Sequence, residues 1–182
     1  KFFLNAYTDN KDFVSAYYLN SIVANSILII IYTSLINPRF RNFTTSHFTD
    51  KQKNEVMRQF SIQCLTVGFL FSAAFYLLFD QLINFLGRSY LEDNSFLKLP
   101  FTILIILNVI NLIPHYYLFI HRKDRDIANI SIFTVFFILI MMFFLPTYLG
   151  SMGVLISLII GMVFMILYKA IKVTRLDEFK LS

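Results

Sequence analysis

Long apolar runs without a single charge recur five times along the chain. They cover Ala16–Ile36, Phe60–Phe79, Leu99–Ile120, Ile127–Leu149 and Gly150–Tyr168. None contains Asp, Glu, Lys or Arg. A helix needs roughly 20 apolar residues to cross about 30 Å of hydrocarbon. A charge at a span centre costs roughly 2.5–3.5 kcal/mol on insertion scales. The pattern therefore predicts five transmembrane spans at 16–36, 60–79, 99–120, 127–149 and 150–168. Backbone groups in lipid are satisfied only within a helix or a closed barrel. Barrel strands alternate apolar and polar residues, and runs such as Ile29-Ile-Ile31 and Phe136-Phe-Ile-Leu-Ile-Met-Met-Phe-Phe144 do not. The expected fold is all-α, a polytopic membrane helix bundle forming one transmembrane domain over 1–182.

Local signals set the expected boundaries. Asn37-Pro-Arg39 ends the first span, because the residue before proline avoids the helical region. Thr49-Asp-Lys-Gln52 reads as a capping box. It starts a helix that continues into the second span. The polar part of 37–59 is expected along the membrane surface before that span. Asn94 or Ser95 is expected to cap the third span, with Pro100 tolerated near its first turn. Pro146 and Gly150 mark a tight turn between the fourth and fifth.

Composition and charge sharpen this picture. Of 182 residues, 57% are hydrophobic and 15% charged, against about 45–50% and about 25% in soluble domains. The mean hydropathy of +0.66 agrees. The net charge is +5, but the basic residues lie between the apolar runs, so they point to a membrane surface and not to nucleic acid. Loops 37–59 and 121–126 and the tail after Tyr168 hold twelve of the basic residues, and the other connections hold four. The positive-inside rule then predicts an outer N-terminus and a cytoplasmic C-terminus. Cys64 is the only cysteine, which excludes an internal disulfide. The chain starts at Lys1 without a signal-peptide pattern, and it is read as a fragment or a processed product.

Candidate chemistry is sparse. There is no phosphate-binding glycine loop, nucleophile elbow or His-Glu-x-x-His, so neither an enzyme, a cofactor nor a metal site is expected. Asp124 and Asp126 flank Arg125 as local charge balance at a helix end. Asn42-Phe-Thr44 matches a glycosylation acceptor but falls on the expected cytoplasmic side. Asn108, Asn111 and His115 share one helix face. They either line a water-filled cavity or bond a neighbouring helix. Tyr17, Ser21, Asn25 and Tyr32 form a similar stripe on the first span, with the same two readings. Gly153, Ser157 and Gly161 form a small-residue ladder for close helix packing, as do Gly68 and Ser72. Tyr76 and Asp80 continue the latter face to the outer interface.

The order of short motifs resembles the C-terminal half of Wzx-type polysaccharide (O-antigen) flippases of the multidrug/oligosaccharidyl-lipid/polysaccharide exporter superfamily. Lys1-Phe-Phe-Leu4 resembles the end of their seventh helix and Val14-Ser-Ala-Tyr17 the opening of the eighth. Phe85-Leu-Gly-Arg-Ser-Tyr90 resembles the outer end of the ninth. Leu145-Pro-Thr-Tyr-Leu-Gly-Ser-Met-Gly153 resembles the turn between the eleventh and twelfth. Leu149 is an extra residue in that turn, and Val154 and Leu155 stand where small residues are usual. The resemblance implies a partial lobe of a twelve-helix transporter in the cell membrane. Such a transporter carries a lipid-linked oligosaccharide between leaflets by alternating access. Its implied partners are membrane lipid, the lipid-linked sugar and the N-terminal half of the same protein. For the anionic headgroup, cationic residues are expected on that missing half, or from a protonated His115. A polymerase or transferase of envelope polysaccharide synthesis and an accessory membrane subunit are the alternative readings.

Overall fold

A computed structural model describes residues 11–36, 38, 49–87 and 94–181. Among them the secondary structure is helical, without strands. Five long helices follow one another: α1 (Lys11–Leu35), α2 (Asp50–Phe85), α3 (Lys98–Ile120), α4 (Asp124–Leu149) and α5 (Met152–Leu181). All five are long and apolar enough to cross a membrane. Each contains one of the runs predicted from the sequence, apart from a residue or two at some ends.

The helix ends show what charge-free windows miss. The capping box at the start of α2 is present: the Thr49 side chain accepts from the Gln52 N–H, and the Thr49 N–H donates to Gln52 Oε1 at 2.9 Å. From there one helix of 36 residues runs to Phe85, about 54 Å at 1.5 Å per residue. Residues 50–59 are thus its first turns, as the capping box predicts. The cap expected for α3 is absent. Asn94–Leu97 form a 3₁₀ turn, and Leu97 occupies the cap position without a side-chain bond. Pro100 sits in the first turn, where no intrahelical donor is needed. The largest departure is α5. It does not stop at Tyr168 but continues to Leu181, because neither proline nor glycine interrupts the sequence there.

The connections are short and specific. After α3 the Arg122 N–H bonds Phe119 O at 2.9 Å and the Lys123 N–H bonds Leu118 O at 3.0 Å. Arg122 takes a left-handed conformation, φ 56°. This is a Schellman ending with arginine where glycine is usual. Asp124 and Asp126 lie in the first turn of α4, where carboxylates face the positive end of the helix dipole. Gly150, at φ 57° and ψ −147°, adopts a conformation essentially confined to glycine. It joins α4 to α5 in a tight hairpin.

Helix α3 is the centre of the bundle and packs against each of the other four. Ile31 of α1, Phe60 and Cys64 of α2, Ile105 of α3 and Leu155 of α5 are fully buried. Helix α4 is the outermost, and Phe133, Phe136, Phe143 and Phe144 leave it exposed. In water such a surface would drive association. Against acyl chains it is the expected covering of a span.

Close approach depends on small residues. A Cβ at Gly68 would overlap Val109 of α3, and one at Gly161 would overlap Ile138 of α4. A Cβ at Gly153 would meet the backbone of Leu145 and Pro146. Ser157 is buried, and its hydroxyl donates to Gly153 O at 2.7 Å. Gly153 and Gly161 thus face α4, the partner helix of their own hairpin.

Candidate functional site

The polar face of α3 meets a lysine. Lys169 of α5 is 1% exposed. Its Nζ donates to Asn111 Oδ1 at 2.9 Å and lies 3.3 Å from His115 Nδ1. An ammonium has only donors, so the ring hydrogen of a neutral His115 stands on Nε2. The amide is oriented by the same logic, with its oxygen towards Lys169 and its NH₂ turned away. Pro114 removes the N–H that Ile110 O would otherwise accept, which adds polarity one turn earlier.

This cluster borders open space. A cavity of about 410 Å³ is lined by Tyr32, Thr33, Ile36, Asn111, Leu112, His115 and Tyr116. Tyr116 is held edge-on between His115 and Phe60, at 5.1 and 5.4 Å between ring centroids. Lys169 is not on the wall. Its charge stands behind Asn111 and His115 and polarises both. Asn111 Nδ2–H and His115 Nε2–H remain as donors for an occupant, beside the Tyr32 and Tyr116 hydroxyls, which can donate or accept. A donor pair backed by a buried cation fits an anion.

Asn25 and Asn108 line a different cavity, of about 250 Å³, between α1, α3 and the α4–α5 hairpin. The face predicted for Asn108, Asn111 and His115 is therefore divided between two successive cavities along α1 and α3. Tyr17 and Ser21 belong with Asn25, whereas Tyr32 belongs with His115. The buried asparagine of α1 is Asn20, which donates to Ala16 O at 2.9 Å.

Other charged residues form ties between helices. Asp80 of α2 pairs with Lys98 of α3, whose ammonium also lies 5.3 Å from the Tyr76 ring centroid. Asp126 of α4 pairs with Lys172 of α5 at 3.1 Å. No group of three or more potential metal ligands occurs among the described residues. His47, Asn42-Phe-Thr44, Lys1-Phe-Phe-Leu4, Glu92 and Asp93 lie outside the described residues.

Lys169, expected in a tail beyond the last span, instead places a cation inside the bundle. A charge-free window closes the last span at Tyr168, one residue short of it. Its helical position was the available signal. Lys169 is seven residues after Met162 and eleven after Leu158, on the same face, and both line the Asn108 cavity.

These features define a helical membrane-protein bundle with a buried cation beneath a polar cleft. No protein-family model, curated protein or solved structure matches the chain.

Proposed function

We propose that the chain is the C-terminal lobe of a polysaccharide flippase of the cell membrane, which moves a lipid-linked oligosaccharide from the inner to the outer leaflet by alternating access. One observation carries this reading: the donor pair of Asn111 and His115, backed by the buried Lys169. Intramembrane ionisable groups face bundle interiors or pathways and seldom lipid. A diphosphate headgroup would accept from both donors, each charge-assisted bond being worth about 1.5–3 kcal/mol. The acyl chain would remain in the bilayer. The motif resemblance supplies the rest of the reading, including the second lobe.

The test is transbilayer movement. The full-length protein is reconstituted in vesicles with a fluorescent polyprenyl-diphosphate oligosaccharide. Exposure of the glycan to an impermeant glycosidase should become protein-dependent. Rates equal to those of protein-free vesicles would reject the assignment.

The proposed orientation has its own check. Cys64 is fully buried, so labelling of an introduced cysteine meets little background. In intact cells, Tyr148→Cys should react with an impermeant maleimide. Lys123→Cys should react only after permeabilisation. The reverse pattern would invert the proposed topology.

A further inference from the structure

Resting on the flippase reading, we infer that the cavity at Tyr17, Ser21, Asn25 and Asn108 is a binding site for an uncharged sugar unit attached next to the phosphates. The cavity holds about 250 Å³. No Asp, Glu, Lys, Arg or His lines it, so an ion finds no counter-charge. Its polar groups are two hydroxyls and two amides. Asn25 Nδ2 donates to Ser21 Oγ at 3.4 Å, and Asn108 Nδ2 donates to Leu104 O at 2.8 Å. Neither amide oxygen accepts a bond among the described residues. A sugar hydroxyl both donates and accepts, and it can satisfy these oxygens while accepting from Tyr17 or Ser21.

The opposite wall is apolar, with Leu158 and Met162 of α5. The Tyr17 ring is fixed edge-on against Phe101 at 5.3 Å. Polar edges and an apolar wall match the hydroxyl rim and C–H face of a pyranose. Asn25 adds a second reason. It is exposed near the middle of α1, and an amide oxygen left without a partner inside a span is costly. A ligand that reaches it removes that cost.

The two cavities are ordered like the ligand. Asn108 precedes Asn111 by three residues of α3, a rise of about 4.5 Å. The cation-backed donors therefore lie next to the neutral amides, as a diphosphate lies next to its first sugar.

Two probes separate this site from the function on which it rests. Binding of polyprenyl diphosphate, bare and bearing N,N′-diacetylchitobiose, is measured on the full-length protein in nanodiscs. The glycosylated probe should bind about tenfold more tightly, the gain from two neutral hydrogen bonds. Asn108→Leu and Asn25→Leu should each cut that gain to about threefold and leave the bare probe unchanged. Equal affinity for both probes in the unaltered protein overturns the sugar site alone. So does an equal loss for both probes in Asn108→Leu, which would mark the amide as a support of α3. Failure of the unaltered protein to bind either probe overturns the flippase reading as well.

Discussion

Lys169→Met is expected to weaken binding of a polyprenyl diphosphate by about 10- to 100-fold, without lowering the melting temperature of the protein. The ammonium is buried with Asn111 and His115 as its partners, and no carboxylate bonds it among the described residues. Burying a charge costs several kcal/mol, which hydrogen bonds only partly offset. Methionine has a similar length and no charge, so the desolvation cost disappears. Asn111 Oδ1 and His115 Nδ1 each lose a donor, at about 1–3 kcal/mol apiece. These opposing terms nearly cancel in stability. They do not cancel in binding, because the charge behind the cavity is lost together with the forced orientation of both donors. Each charge-assisted bond is worth about 1.5–3 kcal/mol, which converts to the stated range at 1.4 kcal/mol per tenfold. Lys169→Gln keeps a donor for Asn111 and should fall between the two. Titration and thermal melting of purified variants decide the matter. Unaltered binding in Lys169→Met with a lower melting temperature would make the lysine a structural tie only.

The same residue shows where sequence reading stops. The five spans were legible because insertion into hydrocarbon penalises every charge, and a one-dimensional window registers that directly. The capping box of Thr49 and Gln52 was legible because its atoms come from a single turn. Helix ends were less so. The edge of the hydrocarbon and the end of a helix are different boundaries, and α2 and α5 both run past the charges that closed their windows. Lys169 was placed in a tail for this reason, whereas the start of α2 at Asp50 followed from its capping box. Ion pairs such as Asp80 with Lys98 and Asp126 with Lys172 depend on which helices become neighbours, and periodicity carries no such information. The polar stripes on α1 and α3 were visible as faces. Their division into a cation-backed cavity and a neutral one depended on α5.

Gly153→Ala should lower stability more than Gly161→Ala, and only the second should be repaired at another site. Lipid is as apolar as leucine, so α4 and α5 are held together by contact and not by expulsion of water. A methyl group that prevents contact therefore acts on the main term. At Gly153 the new carbon would lie 2.5 Å from Pro146 N and 2.6 Å from Leu145 C. Both are backbone atoms, so the helices must separate next to the Gly150 turn, where the chain has least room to adjust. At Gly161 the obstacle is Ile138, a side chain that can be shortened. Overpacking of this kind costs about 1–3 kcal/mol. Gly161→Ala should lie in that range and be largely restored by Ile138→Ala, a coupling readable in a double-mutant cycle. Gly153→Ala should reach or exceed the upper limit, with no rescue from Pro146→Ala, which leaves the main chain in place. Denaturant unfolding in mixed micelles measures the single and paired variants. Additive effects of Gly161→Ala and Ile138→Ala would show that α4 does not pack on this ladder.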